Sequence, residues 1–133
     1  MEKIENYWNN RANTYSEMIS EDINSFKREA WSKIIKNKAG DNVKVLDIGT
    51  GPGFFAIIMS QMEYDVTAVD CSTSMLEEAK SNAQLAGVKV KFMKGDVENL
   101  DLPVESFDLI VNRNVTWTLK EPAKAYKSWF SLL

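Results

Sequence analysis

The chain has 133 residues, 44% of them hydrophobic and 26% charged, and carries a formal net charge of −3. That composition suits one soluble globular domain spanning residues 1–133, and its acidic balance speaks against non-specific binding to nucleic acid. No apolar run approaches the roughly 20 residues that a membrane span needs. Residues 1–10 have no signal-peptide core, so a cytoplasmic protein is expected. The one cysteine, Cys71, leaves no intrachain disulfide. Histidine is absent, so no metal site is expected and the commonest general base is missing.

In chain order, Ile4, Tyr7, Trp8, Arg11, Ala12, Tyr15, Met18 and Ile19 recur at steps of three and four, one face of an amphipathic helix. A second stripe, Ile23, Phe26, Ala30, Trp31, Ile34 and Ile35, ends at Ala39-Gly40. Residues 1–40 thus read as a helical N-terminal cap on a core at 41–133. Val43 to Ile48 reads as a buried strand, with a glycine-rich loop at once behind it. Phe54 to Met62 is apolar on nearly every side, as a helix wedged against a sheet would be. Tyr64 to Val69 is a second strand ending in Asp70. Ser72, Thr73 or Ser74 can cap the next helix, and Ser74 with Glu77 makes a capping box. That helix has Met75, Leu76, Ala79, Ala83 and Ala86 on its apolar face and stops at Gly87. Val88 to Lys94 alternates, and its lysines on one face suggest a protected edge strand. Phe107 to Val111 is a further apolar strand. Glu121-Pro122 opens a last helix, with a stripe of Ala125, Tyr126, Trp129, Phe130 and Leu133. Strands alternating with helices predict an α/β fold: an open parallel sheet with right-handed crossovers and helices on both faces.

The loop Asp47-Ile48-Gly49-Thr50-Gly51-Pro52-Gly53 carries the most chemistry. Glycines let the backbone turn sharply and let a ligand approach closely, and the following helix points its amides at that place. A dinucleotide fingerprint would want its third glycine at Phe54, which is bulky. A phosphate loop would need Gly-Lys-Ser or Gly-Lys-Thr, and neither occurs. The run Val45 to Gly53 instead resembles the signature motif of the S-adenosylmethionine-dependent methyltransferases with a Rossmann-like fold. Asp47, Gly49, Thr50, Gly51 and Gly53 are its cofactor-binding candidates.

Asp70, at the carboxyl end of the second strand, can accept bonds from both ribose hydroxyls, or it can serve as a helix cap. The resemblance assigns it the ribose. Cys71 follows it and can sit near the ribose, or be a small half-buried residue. Met75 can pack on the adenosine or in the core. Gly95-Asp96-Val97-Glu98 looks like the family's segment after strand three, which implies that Asp96 contacts adenine and the Val97 backbone donates to the ring. Taken alone, it is equally an Asp-capped turn. Asn112-Arg113-Asn114 closes the fourth strand at the edge where α/β ligands bind. The resemblance places Asn112 toward the methionine portion and Arg113, Asn114, Thr116 and Trp117 on the substrate side. Family members that methylate amide or adenine nitrogens often have Asn-Pro-Pro-Tyr there, which argues against that subgroup. Tyr7 to Tyr15 resembles the Trp-x-x-Arg-Ala-x-x-Tyr helix that folds over the cofactor in small-molecule methyltransferases, so Tyr15 is a pocket candidate. No base stands out among Glu98, Tyr15 and Arg113.

Taken together, the resemblance implies a partial Rossmann-like sheet ordered 3-2-1-4, S-adenosylmethionine as cofactor, and methyl transfer to a small-molecule acceptor. The alternatives are a non-catalytic fragment that binds S-adenosylmethionine or S-adenosylhomocysteine, and a nucleotide-binding Rossmann domain. The family's sheet has seven strands, ordered 3-2-1-4-5-7-6, of which four are encoded here. The chain ends mid-stripe on Ser131-Leu132-Leu133. The expectation is therefore a fragment of a longer protein or an apolar end buried against a partner. The hydrophobic fourth strand would pair between copies, as a homodimer through its edge or the last helix, or be buried by that helix.

Overall fold

Residues 2–9, 26–112 and 119–133 are described in the computed structural model of the chain. Tyr15, Arg113, Asn114, Thr116 and Trp117 lie outside the described residues. The elements are α1 (Glu2–Asn9), α2 (Phe26–Ala39), β1 (Lys44–Ile48), α3 (Phe54–Gln61), β2 (Asp65–Asp70), α4 (Thr73–Ala86), β3 (Lys91–Lys94), β4 (Leu109–Asn112) and α5 (Pro122–Phe130).

The four strands form one sheet in the order β3-β2-β1-β4, with every pair parallel. This is the predicted arrangement, with the lysine-bearing β3 at one edge. β3 is shorter than its alternating stretch, because only Lys91 to Lys94 align with Thr67 to Asp70 of β2. β4 is the other outer strand and pairs with β1 alone among the described residues.

Alternation along the strands divides the apolar residues between two cores. One face carries Val45 of β1 with Val66 and Ala68 of β2, and packs against α3 and Ile35 of α2. The other carries Leu46, Ile48 and Val69, and packs against Ala125, Trp129 and Leu132 at the C-terminal end. Helices therefore cover both faces. α3 explains its own composition: Phe54 to Met59 are all buried, since the helix lies between the sheet, α2 and α4. Trp31 of α2 meets the Phe55 ring edge-on at a centroid distance of 5.1 Å.

α4 starts and stops on local chemistry. Ser72 is its N-cap and accepts from the Met75 amide, so the Ser74–Glu77 capping box is not the device used here. Gly87 closes it in the left-handed region at φ 71°. α5 begins at Pro122, in the first turn as predicted. Its face is rotated from the expected stripe. Ala125, Trp129 and Leu132 are buried, while Tyr126, Phe130 and Leu133 are exposed. Three further bonds fix that rotation. The Trp129 indole N–H donates to the Val97 carbonyl at 2.8 Å. The Leu132 carbonyl accepts from the amides of Ser106 and Phe107, just ahead of β4. The end of the described chain is thus folded back on the sheet, and α5 covers a face of it rather than the β4 edge.

Gly53 and Gly87 both have positive φ, but only at Gly53 would a Cβ meet a neighbour, Ala79 of α4 at 3.3 Å. Gly53→Ala is expected to lower stability by about 2–3 kcal/mol and Gly87→Ala by about 1 kcal/mol. Urea unfolding of the two variants checks this, and equal losses would contradict the α3–α4 contact.

Candidate functional site

The carboxyl ends of all four strands bring the sequence-selected residues to one edge of the sheet. β1 delivers the glycine loop. β2 delivers Asp70, β3 leads to Asp96, and β4 ends in Asn112, the register partner of Ile48. The alternate glycines have a common reason. Gly49, Gly51 and Gly53 sit at φ of 71°, 56° and 95°, a region that favours glycine. Their surroundings then separate them. Gly53 is needed for helix packing, whereas a Cβ on Gly51 would meet nothing within 4 Å. Gly51 fronts open space, as a loop does where a ligand lies against backbone.

Two carboxylates hold this loop. Asp47 is buried beneath it, 1% exposed, and accepts from Thr50 Oγ1 at 2.8 Å and from the Ala56 amide. Burial pushes its carboxyl up to about 7, the Thr50 bond opposes this, and the nearby Asp70 adds to the rise. Asp70 is 7% exposed. Its Oδ2 accepts from the Gly51 amide and its Oδ1 from the Ser72 amide, each at 2.9 Å. Burial raises its pKa, and the backbone bonds from Ser72, Gly51 and Cys71 pull the other way. The β2 carbonyl of Val69 completes the frame by accepting from both Gly49 and Thr50.

The neighbours of Asp70 are inert by contrast. Cys71 is buried, and desolvation followed by the Asp70 charge pushes its thiol up to about 11, so it is protonated at neutral pH. Met75 is 1% exposed and packs in the interior at the first turn of α4. At the end of β3, Asp96 Oδ1 accepts from the Glu98 amide and Oδ2 from Asn99 Nδ2, an Asp-capped turn. Val97 lies half-buried on the second core, its carbonyl held by Trp129. Asn112 is exposed.

Sequence reasoning singled out neither Asn9 nor Glu5, and considered Glu98 only as a base. Glu98 Oε1 accepts from the amides of Lys120 and Glu121, so it caps α5 from a distance. Asn9 of α1 accepts from the Ser72 hydroxyl and, at 3.2 Å, from the Ser74 amide. Glu5 of α1 pairs with Lys94 at 2.7 Å. These are long-range bonds, and only Ser72 had a local signal, as a helix-cap candidate.

The donor set bears on the cofactor that the glycine motif suggests. The loop is faced by carboxylates, and Lys94, the register partner of Asp70, spends its charge on Glu5. A pyrophosphate would meet like charge there, whereas a ribose diol and a sulfonium cation would meet acceptors of the right sign. The open rim at Gly51 leaves room for the approach. The residues present fit S-adenosylmethionine.

A family profile described as methyltransferase domain matches residues 45–133. The uncharacterized methyltransferase YcgJ of Bacillus subtilis is 38% identical over 85 residues, 63% of this chain and 34% of that protein. The release factor glutamine methyltransferase of Lactococcus lactis is 38% identical over 86 residues, 63% of this chain and 31% of that one. The chain thus spans about a third of the length of these curated relatives. A Methanococcus maripaludis structure, assigned as an S-adenosyl-L-methionine-dependent methyltransferase, superposes with a TM-score of 0.84 at 26% identity. That match covers 94% of this chain and 58% of the other.

The Asp47 environment gives a signed pH dependence. An acid whose folded pKa is about 7, against 3.8 when free, keeps its proton in the folded state after the unfolded chain has lost it. Its contribution to stability is therefore greatest below about pH 4 and is lost as the pH rises to about 7. Asp47→Asn is expected to remove this part of the slope in urea unfolding measured across that window. An unchanged slope would contradict the assignment. Cys71 is expected to resist iodoacetamide at neutral pH in the folded protein and to react once unfolded, as read by mass spectrometry.

Proposed function

Since the chain belongs to the methyltransferase domain family, we propose that it binds S-adenosylmethionine across the carboxyl ends of β1, β2 and β3 and serves methyl transfer. The observation that carries this reading is the glycine loop itself. Three alternate positive-φ glycines stand beside two carboxylates, with the Gly51 amide fixed on Asp70 and its outer side open.

When bound, the cofactor supplies a methyl group already activated on a sulfonium. The protein's part is then mainly alignment and the exclusion of other outcomes. Asp70 is assigned to the ribose hydroxyls. Its two oxygens offer about four acceptor positions, and the backbone bonds from Gly51, Ser72 and Cys71 do not fill them all. Gly49, Thr50, Gly51 and Gly53 shape the cradle, with Asp47 bracing Thr50 from below. Asp96 and the Val97 backbone are assigned to adenine. Cys71 and Met75 support the adenosine side from within the fold. Asn112 is assigned to the methionine end, and Tyr15 keeps its family-derived place as a pocket residue. Glu98 is engaged at the start of α5, which speaks against it as a base.

A small-molecule acceptor is the reading we favour. Asn112-Arg113-Asn114-Val115 departs from the Asn-Pro-Pro-Tyr of amide and adenine methylation. α1 is also fastened beside the ends of β2 and β3, which narrows that corner. Since the chain spans 34% of one relative and 31% of the other, a cofactor-binding part that lacks transfer activity on its own is the second reading.

Thermal unfolding with S-adenosylhomocysteine and with NAD tests the proposal. S-adenosylhomocysteine at a hundredfold excess over its Kd is expected to stabilise by about 2.7 kcal/mol. NAD is expected to do nothing, and Asp70→Ala to lose the shift. Stabilisation by NAD alone would overturn the proposal. A methyl-transfer assay over a panel of acceptors separates the enzyme from the binding part.

A further inference from the structure

The N-terminal helix reaches the candidate site through a chain of hydrogen bonds that has no sequence signature. Asn9, the last residue of α1, places its Oδ1 between the Ser72 hydroxyl and the Ser74 amide. Ser72 is fully buried, and its hydroxyl also accepts from Met75. The backbone N–H of the same residue donates to Asp70 Oδ1, and Asp70 Oδ2 takes the Gly51 amide. One continuous path therefore links α1, the start of α4, the end of β2 and the tip of the glycine loop. The Glu5–Lys94 pair anchors the same helix to the end of β3.

We infer that Asn9 is a positioning residue for the cofactor site: it holds Ser72, and through Ser72 fixes the Asp70 carboxylate and the Gly51 backbone in the form that receives a ribose. The inference rests on the proposed function for the identity of the ligand, but the bond path does not. Ser72 alone can cap α4, as a serine at that place usually does. The second acceptor, from another helix, takes the Ser74 amide that Ser72 leaves open in the same turn and also holds the Ser72 hydroxyl. It adds restraint on the residue whose amide orients Asp70. The side chain of Asn9 is linked to the ribose acceptor only through Ser72, so its loss changes recognition without removing a proposed ligand contact.

The test compares the wild type, Asn9→Ala and Asn9→Asp, the last of which keeps the oxygen acceptor. Binding is read by calorimetry with S-adenosylhomocysteine and with its 2′,3′-dideoxyribose analogue, which lacks both hydroxyls assigned to Asp70. Amide hydrogen exchange is read over residues 49–53 in the ligand-free protein. Asn9→Ala is expected to weaken S-adenosylhomocysteine about tenfold, equivalent to about 1.4 kcal/mol. The dideoxy analogue should weaken less than about twofold, since a mispositioned Asp70 matters most to the hydroxyls it receives. Exchange at Gly51 should quicken, and Asn9→Asp should restore both readouts. Equal weakening of the two ligands would mark a purely structural role and overturn the inference. So would unchanged exchange at Gly51. If the wild type binds neither ligand, the proposed function fails, and the exchange result alone decides the bond path. If Asn9→Ala does not fold, Glu5→Gln releases the other anchor of α1. It is expected to quicken Gly51 exchange, and no change there would overturn the inference.

Discussion

The Asp70 carboxylate is the point on which the site depends. It is nearly buried, and its two oxygens join segments far apart in sequence: the Gly51 amide on the β1 loop and the Ser72 amide at the start of α4. A buried carboxylate without partners would cost several kcal/mol, or would take up a proton. Here the backbone supplies the partners, so the acid stabilises the junction of β1, β2 and α4. The same burial that makes those bonds strong also keeps the oxygens poised for hydroxyl donors. Under the proposed function, fold and recognition use one group.

Asp47 complements it from underneath. It lies on β1 between Leu46 and Ile48 and reaches Thr50 and Ala56 rather than the surface. Asp70 lies close enough to raise the proton affinity of Asp47, and such a pair would be a poor neighbour for phosphate and a good one for a cation. The wedge of α3 follows from the same loop. Gly53 allows α3 to start close against Ala79, and the helix can then be apolar on nearly every side because something covers each side.

The strands, the edge position of β3 and the glycine loop were legible in the sequence, because alternation, turn residues and glycine spacing are local signals, while the strand order was implied by the family resemblance. The site residues were gathered at one sheet edge for the same reason, since each follows a strand directly. What could not be read were contacts between distant residues. Asn9 meets Ser72 across 63 positions, and Trp129 meets Val97 across 32. The indole bond and the fold-back at Leu132 rotate α5, which is why Tyr126 and Phe130 of the expected stripe face outward. Ser72 was a cap candidate, but the choice against Ser74 depended on a partner from α1. Tyr15 and the segment after Asn112 carry sequence expectations that lie beyond the described residues.

The central place of β1 has a consequence for how the chain assembles. On one side β1 meets β2 after a single short helix. On the other it meets β4, where Lys44 and Asp108 bond to each other across 64 residues. Closing the longer loop sacrifices more chain freedom before any contact rewards it. The β1-α3-β2 unit, with its glycine turn inside it, is therefore the part with the lowest entropic barrier to formation. Until β4 arrives, the other flank of β1 offers unpaired backbone groups to any strand that passes. The sooner that flank closes, the shorter the time for which those groups stand open to another chain.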